Sequence, residues 1–463
     1  MERESENNGS GLSLRERLTL FLSARWRKWG ALGTVALVMV APVQSIRTQT
    51  TGVRLEQRLT QLREQGEPIA LSELAPESIA DEANAATFYR RAFEKLTFTE
   101  RSGLLGAYIL PETGQDKRAL LEPRVRELIR QNKEVFPLVK EATEHDQCLF
   151  PADLELVTGA DCSHLQGLEN VLSLIAARAM IEAKDGDMNA AVDDILTCLR
   201  VARATDTDPL GFSFISTLTR RSIAIGCLHE VSQSHPLTFE QAKALFDELA
   251  QSSVVPAFER CVRGQRALYN YYFTLLRSGR RNLPSQDPHS PRSNPAISRI
   301  YMMAGGIPPA KIYNDQISYL DHFGAELRLI HEPYCETVKA MKAMKANGLQ
   351  SYGEFTWWGP FFDIVSAFSA SVHIRGTQTA MALKAYKSRY GRYPENLVDV
   401  ESKLGWKLPS DPYTRLPLRY RLIGEGFTVY SCGPNMKDDG GLINWWASST
   451  GKDVGDMGFT WDE

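Results

Sequence analysis

Residues 170–210 read NVLSLIAARAMIEAKDGDMNAAVDDILTCLRVARATDTDPL, and apolar residues recur there at helical spacing on both sides of a polar turn. Before the turn, one helical face is shared by Leu172, Ile175, Ala176, Ala179 and Ala183. After it, one face is shared by Ala191, Ile195, Cys198, Leu199 and Ala202. Residues three and four apart lie on the same face of an α-helix. With the turn at 185–187, the stretch predicts two antiparallel helices that touch through small side chains.

The same spacing extends over most of the chain, so we expect a mainly α fold with an exported helical domain over residues 47–279. The turn GD followed by AA resembles one turn of a tetratricopeptide-type repeat, and the segments SFISTLTRRSIAIGCLHEV and TFEQAKALFDELAQ could continue a stack of helical hairpins. A steady period of about 34 residues is not found. A plain helical bundle is therefore favoured over tetratricopeptide-like hairpins.

The amino-acid composition argues against several classes of function. The chain has 463 residues and 43% hydrophobic content, enough for a sizeable core. Its 53 basic and 56 acidic residues nearly balance, which argues against a nucleic-acid partner. Seven cysteines show no CxxC motif or metal-site spacing. Cys148 and Cys162 could form a local disulfide in an oxidising compartment, but isolated buried thiols are favoured.

A membrane anchor is predicted near the start. Residues 29–46 carry no charge and are just long enough to cross a bilayer as a helix, and five basic residues against one acidic precede them. This flank predicts that residues 1–28 stay in the cytoplasm and that the bulk is periplasmic, as in a single-pass protein of the bacterial inner membrane. A cleaved signal peptide and a buried soluble helix are the alternatives.

Prolines and glycines interrupt the helical pattern at residues 280–311, which we expect to form a long surface loop. Helical spacing resumes at 312–362. His322 and His331 lie in this part beside acidic residues, but their spacing does not fit a metal site, so ordinary packed or surface histidines are predicted. Trp357 and Trp358 could line a ligand pocket or a partner surface, although core packing is favoured.

Residues 363–463 differ from the rest. A long helix is predicted to end at Gly391, where glycine can adopt the left-handed conformation, and Pro394 prevents its continuation. A short helix follows in ENLVDVESKLG. Then Leu418, Tyr420 and Leu422 alternate with arginines before a Gly-Glu-Gly turn and a second alternating run. This pattern predicts an antiparallel hairpin that packs on the long helix.

The motifs YGRYPENL, LPSDPYTRLPLRYR, GFTVYSCGPNMKDDGG and DVGDMGF occur here in that order. Together they resemble the C-terminal head of the major pseudopilin of type II secretion systems, which implies a small α+β head in which a long helix packs on an antiparallel sheet. The whole layout, with REQGEPIALSEL and DEANAATFYRRAF after the membrane segment, also resembles a family of uncharacterised bacterial membrane-anchored helical proteins. From this resemblance we infer the fold of the head for this chain, but not assembly into a filament.

In the pseudopilin family, the loop after the hairpin binds calcium. The corresponding residues here are Asp438, Asp439, Asp453 and Asp456, and the resemblance implies that they are calcium ligands. Carboxylate oxygens are the ligands that calcium prefers, and two glycines at 440–441 permit the turn. The alternative is that the aspartates cap turns and solvate the loop.

No GxSxG elbow, HExxH motif, phosphate loop or dinucleotide fingerprint occurs in the sequence. We therefore expect a non-catalytic, membrane-anchored envelope protein that binds envelope or secretion proteins. An exported hydrolase with an unfamiliar site, or a ligand sensor, remains an alternative. The acidic pair Asp193 and Asp194 occupies adjacent, diverging helix positions and is not predicted to act as a catalytic pair.

Overall fold

The computed structural model describes residues 43–74, 79–98, 103–109, 115–150, 162–277, 309–346, 360–441 and 455–461. Most of these residues are helical, and one antiparallel sheet of three strands lies at the C-terminal end. The prediction of a mainly α fold with a small C-terminal sheet is confirmed.

Helix α1 covers 43–64, and a short 3-10 helix covers Leu71–Leu74. The further helices are α2 (Ala85–Lys95), α3 (Gly103–Ile109), α4 (Gln115–Gln131), α5 (Val135–Ala142), α6 (Ser163–Lys184), α7 (Met188–Val201), α8 (Gly211–Ser234), α9 (Phe239–Ala250), α10 (Val255–Arg277), α11 (Pro309–Leu329), α12 (Tyr334–Ala346), α13 (Pro360–Tyr390) and α14 (Leu397–Leu404). The strands are β1 (Arg419–Ile423), β2 (Gly426–Ser431) and β3 (Met457–Trp461).

The helical hairpin predicted from residues 170–210 is confirmed as α6 and α7. Gly186, with a φ of 91°, makes the turn, and the Asp187 carboxylate accepts a hydrogen bond from the backbone N–H of Ala190. Such a cap satisfies one of the unpaired donors at a helix start. The two predicted contact faces are buried throughout. Their alanines allow the two helix backbones to approach closely.

The helices form a bundle rather than a regular repeat. Helix α6 packs against α7 and α8, as in stacked hairpins, but α9 packs mainly against the long helix α13. Moreover, α6 begins at Ser163 and α8 at Gly211, a spacing well above the about 34 residues of a tetratricopeptide repeat. Of the two alternatives, the structure supports the helical bundle.

Helix α13 joins the C-terminal sheet to this bundle. It packs against α8 and α9 and also against β2 and β3. One continuous cluster of buried apolar side chains includes Ile175 of α6, Phe246 of α9, Met381 of α13 and Trp461 of β3. The core is therefore continuous across the predicted domain boundary at residue 363.

The sheet has the order β1-β2-β3, and all neighbours are antiparallel. The predicted hairpin is β1 and β2, whereas β3 was not predicted as a strand. Strand β2 is buried along its whole length, and β1 is largely exposed. Leu422 lies near the turn at the end of β1 and is 45% exposed.

Two predicted boundaries differ from the structure. Helix α1 runs through the predicted end of the membrane segment at residue 46. Helix α11 begins at Pro309, inside the predicted loop 280–311, because proline is well tolerated in the first turn of a helix. Within the described residues, no helix has both the length and the apolar content needed to cross a membrane. Residues 29–42 of the predicted anchor lie outside the described residues.

Two adjacent arginines, Arg220 and Arg221, are buried in the middle of α8. Arg220 is completely buried and donates hydrogen bonds to the hydroxyl groups of Thr205, Ser216 and Thr217. Ser216 in turn donates to a carboxylate oxygen of Glu169 on α6, at 3.0 Å. Burial lowers the pKa of Arg220 to about 10, so the guanidinium remains charged at neutral pH. This network links α8, α6 and the segment after α7.

The second arginine, Arg221, also binds the segment between α7 and α8. Its two terminal nitrogens donate to the two carboxylate oxygens of Asp206, at 3.0 and 2.6 Å, and its Nε donates to the backbone carbonyl of Ser252. Paired donors of this kind fix both distance and orientation. The connection between α7 and α8 and the end of α9 are therefore fixed to α8 by charged hydrogen bonds.

We predict that Gly264→Ala lowers the free energy of unfolding by about 3 kcal/mol, because α10 approaches the backbone before α8 too closely for a side chain. An added Cβ atom would lie 1.8 Å from the carbonyl oxygen of Pro209. The matched control is Gly106→Ala in α3, where no atom lies within 4 Å, and we expect a gain of about 0.5 kcal/mol. Urea denaturation of both variants measures the difference. Equal stabilities would contradict the close approach.

Candidate functional site

The structure brings together three of the four aspartates for which a metal role is predicted. Asp438 and Asp439 follow β2, and Asp456 immediately precedes β3. The backbone N–H of Gly441 donates to one carboxylate oxygen of Asp456 at 2.6 Å and so joins the two segments. Asp453 lies outside the described residues.

The segment that carries Asp438 crosses the outer face of the sheet. The Tyr430 hydroxyl donates to Asp438 at 3.2 Å, and a terminal nitrogen of Arg419 lies 3.1 Å from its second oxygen. A Cβ atom at Gly441, where φ is 76°, would come within 3.2 Å of the Tyr430 ring. Glycine is therefore required there both for backbone conformation and for space.

Asp456 is the aspartate whose environment best fits a cation. Its side chain is fully buried, one oxygen accepts the Gly441 N–H, and the other oxygen, Oδ1, has no hydrogen-bond partner among the described residues. Burial raises the pKa of this carboxyl group, and the charges of Asp438 and Asp439 raise it further. A buried acceptor without a partner is costly unless a donor or a cation approaches it.

The other two aspartates are already engaged. Asp438 pairs with Arg419, and Asp439 accepts a hydrogen bond from the Asn435 side chain at 2.8 Å. Within the described ranges, no three or more histidine, cysteine, aspartate or glutamate side chains form a group that could hold a metal ion. The oxygen donors suit a hard cation such as calcium in their chemistry, and of the three described aspartates Asp456 is the one with a buried carboxylate oxygen that lacks a partner among the described residues.

Other residues singled out in the sequence have ordinary structural roles. All seven cysteines are free, and burial raises the pKa of Cys148 to about 12, which makes its thiol unreactive. His322 is buried, and burial lowers its pKa to about 4. His331 lies on the surface, 2.6 Å from a carboxylate oxygen of Glu259. Four of the cysteines are buried as predicted, whereas Cys148 and Cys162 are half-buried and Cys335 is exposed. The two histidines occupy a packed and a surface position, as predicted. Trp357 and Trp358 lie outside the described residues.

The structure also contains a buried carboxyl pair that was not predicted. Asp193 and Asp194 diverge as expected, but Asp194 faces Glu182 of α6, and the two carboxyl groups share one arginine. Arg178 donates from Nε to Asp194 at 2.5 Å and from a terminal nitrogen to its second oxygen, while its Nε lies 3.5 Å from Glu182. Asp194 was noticed in the sequence, but only the hairpin geometry brings Glu182 opposite it.

One guanidinium cannot fully neutralise two carboxylates, of which Asp194 is buried and Glu182 is half-buried. Oε2 of Glu182 is shielded from solvent and has no hydrogen-bond partner among the described residues. Burial raises the pKa of Glu182 to about 7, the charge of Asp194 adds to the effect, and Arg178 opposes it. Burial also raises the pKa of Asp194, whereas Arg178 lowers it. Glu182 therefore exchanges its proton near neutral pH at the contact between α6 and α7.

We predict that Glu182→Gln removes a loss of stability that the native chain undergoes between pH 5 and 8. The raised pKa means that the protonated form contributes stability that is fully present below about pH 4.5 and is lost as the pH rises through about 7. Between pH 5 and 8 the native chain should lose about 2 kcal/mol relative to the variant, allowing for partial solvent screening. Urea denaturation at both pH values measures this difference.

The control for this prediction is Glu127→Gln on α4, where the carboxylate is exposed and accepts a hydrogen bond from Arg130. The pKa of Glu127 is lowered, so it is ionised over the whole range and its replacement should not change the pH dependence. Parallel stability curves for the native chain and Glu182→Gln would contradict the buried carboxyl pair.

No protein-family model matches this chain, and no curated protein and no solved structure matches it either. The resemblance to the pseudopilin head therefore rests on the quoted sequence motifs.

Proposed function

We propose that this chain is a non-catalytic protein of the bacterial inner membrane that binds other envelope or secretion proteins. In this proposal, residues 29–46 form a single membrane span, residues 1–28 stay in the cytoplasm, and the described bundle lies in the periplasm. The charge asymmetry around residues 29–46 supports the orientation. The C-terminal architecture supports the binding role.

The observation that carries the proposal is the order and packing of the last elements. A long helix packs on an antiparallel sheet, and a segment with paired aspartates follows the hairpin and crosses the sheet before the last strand. The resemblance to the major pseudopilin head implies this arrangement. Because the sequence carries no familiar catalytic motif, we take this exposed C-terminal arrangement to favour a protein-binding role.

The open edge of β1 is the surface that best suits a partner. Within the described residues, β1 pairs only with β2, so one edge of its backbone is left for another strand. The side chains of Leu422 and Ile423 on this strand are exposed. At the opposite end of the sheet, β3 contacts α8, where the His229 ring bonds to the carbonyl of Thr460. Exposed edge strands bind extended segments of other proteins by adding a strand.

We predict that a photo-reactive amino acid at Leu422 crosslinks to another envelope polypeptide in living cells. The matched control is the same substitution at Leu120 on α4, which is 79% exposed and lies on a helix that packs on α3 and α6. Gel electrophoresis and mass spectrometry of the membrane fraction identify adducts. A discrete adduct from position 422 alone supports the proposal, whereas no adduct, or the same adducts from both positions, contradicts binding at this edge.

The membrane topology has its own test, which separates its failure from a failure of partner binding. Alkaline phosphatase fused after residue 47 should be active, because this enzyme needs the oxidising periplasm to form its disulfides. A green fluorescent protein fused at the same position and exported by the same route should stay dark. The opposite pattern would place the bundle in the cytoplasm and overturn the localisation.

We further propose that calcium stabilises the segment between β2 and β3. Asp456 would supply its unpartnered oxygen, and Asp438, Asp439 and Asp453 would contribute further carboxylates. When bound, the ion supplies positive charge to a buried carboxylate and ties β3 to the preceding segment. Because it binds only the folded form, calcium should raise the stability of the whole unit.

We predict that calcium raises the midpoint of thermal unfolding of the native chain relative to chelator, and that Asp456→Asn abolishes the shift. Asparagine keeps the shape of the side chain but removes the charge. The control is Glu425→Gln at the exposed turn between β1 and β2, which should retain the full shift. Equal midpoints of the native chain in calcium and in chelator would refute the calcium proposal and leave the protein-binding proposal standing.

A further inference from the structure

A cavity of about 260 Å³ lies where α5 crosses the α6–α7 hairpin. Its walls include Phe136 and Lys140 from α5, Arg178 from α6, and Asp194 and Thr197 from α7. These residues are distant in sequence from the aspartates near the sheet.

The walls carry two ion pairs at different depths. In the interior, Asp194 is almost completely buried and holds Arg178 through two hydrogen bonds. The Arg178 guanidinium also lies 3.6 Å from the centroid of the Phe136 ring, which fixes its plane. At the surface, Lys140 pairs with Asp193 at 2.5 Å, and both side chains are about half exposed. The outer pair can open at little cost, whereas the inner pair is rigid.

The cavity is partly open to solvent, and the half-exposed Lys140 and Asp193 lie among its lining residues. This cavity has room for about eight water molecules, and charged groups line it. Its size and polarity fit a small polar ligand.

We propose that the cavity binds a small zwitterion of the size of a free α-amino acid. The ligand's carboxylate would meet Lys140 and the terminal nitrogen of Arg178 that Asp194 does not use. The ligand's ammonium group would meet Asp193 at the entrance. The apolar wall at Ile175 leaves room for a small aliphatic side chain.

The balance of charges in the walls selects this class of ligand. The two carboxylates would repel a phosphate or another multivalent anion, and the two cationic groups would repel a simple amine. A ligand that carries both charges can satisfy the walls without leaving either sign unpaired. One face of the Phe136 ring is covered by Arg178, so the site does not offer that face for stacking a flat aromatic ligand.

Isothermal titration of the purified chain with each standard amino acid tests this proposal, with acetate and methylammonium as single-charge probes. We expect saturable binding of at least one small aliphatic amino acid with a Kd below about 1 mM, and binding of the single-charge probes at least about tenfold weaker. Lys140→Gln and Asp193→Asn should each weaken amino-acid binding about tenfold. Each substitution removes one of the side-chain charges that pair with the charged groups of the ligand.

Both substitutions lie at an exposed pair, so the variants should fold with unchanged stability. The control variants are Lys243→Gln and Asp247→Asn, an exposed pair of the same 2.5 Å length on α9, which should bind as the native chain does. Three results would overturn the proposal: no saturable binding up to about 10 mM, equal binding of acetate, or binding that neither Lys140→Gln nor Asp193→Asn weakens. None of these results bears on membrane anchoring or on the edge of β1.

Discussion

The fold depends on the burial of α13 around its whole circumference. Between Ile364 and Tyr386 nearly every side chain is buried or half-buried, because α8 and α9 cover one side and the sheet covers another. Its polar residues therefore need partners inside the protein. Ser371 donates to the carbonyl of Ala367 one turn earlier, and Gln378 reaches the backbone carbonyl of Phe246 on α9. A helix buried in this way cannot leave the bundle without exposing both the bundle and the sheet.

The same constraint fixes the sheet to the bundle. His229 of α8 stacks on Phe459 and contacts Trp461, and the Trp461 indole donates to the Ser232 hydroxyl at 3.3 Å. Burial lowers the pKa of His229, so the ring is neutral at physiological pH and fits this apolar contact. With β3 held against α8, the edge that faces outward belongs to β1. The proposed partner surface is thus a consequence of where the long helix packs.

The sequence predicts those features that local chemistry determines. The α6–α7 hairpin follows from its alanines and from Gly186, and the ends of α13 and α14 follow from Gly391 and Gly405, which both adopt positive φ. Strand β3 was missed because a short terminal strand carries little signal of its own and is defined by its pairing with β2. Buried polar groups were missed for a similar reason, since periodicity does not reveal which arginines or carboxyl groups tertiary packing brings together.

Native-state hydrogen exchange tests the central claim, that the sheet and the bundle form one cooperative unit with an open edge at β1. Amides of α13, β2 and β3 should exchange only by the same global opening as those of α6 and α7, and the outward amides of β1 should exchange much faster. If α13 and the whole sheet instead exchanged through a separate opening of much lower free energy, the C-terminal residues would be an independent head. In that case neither the shared core nor the fixed orientation of the β1 edge would stand.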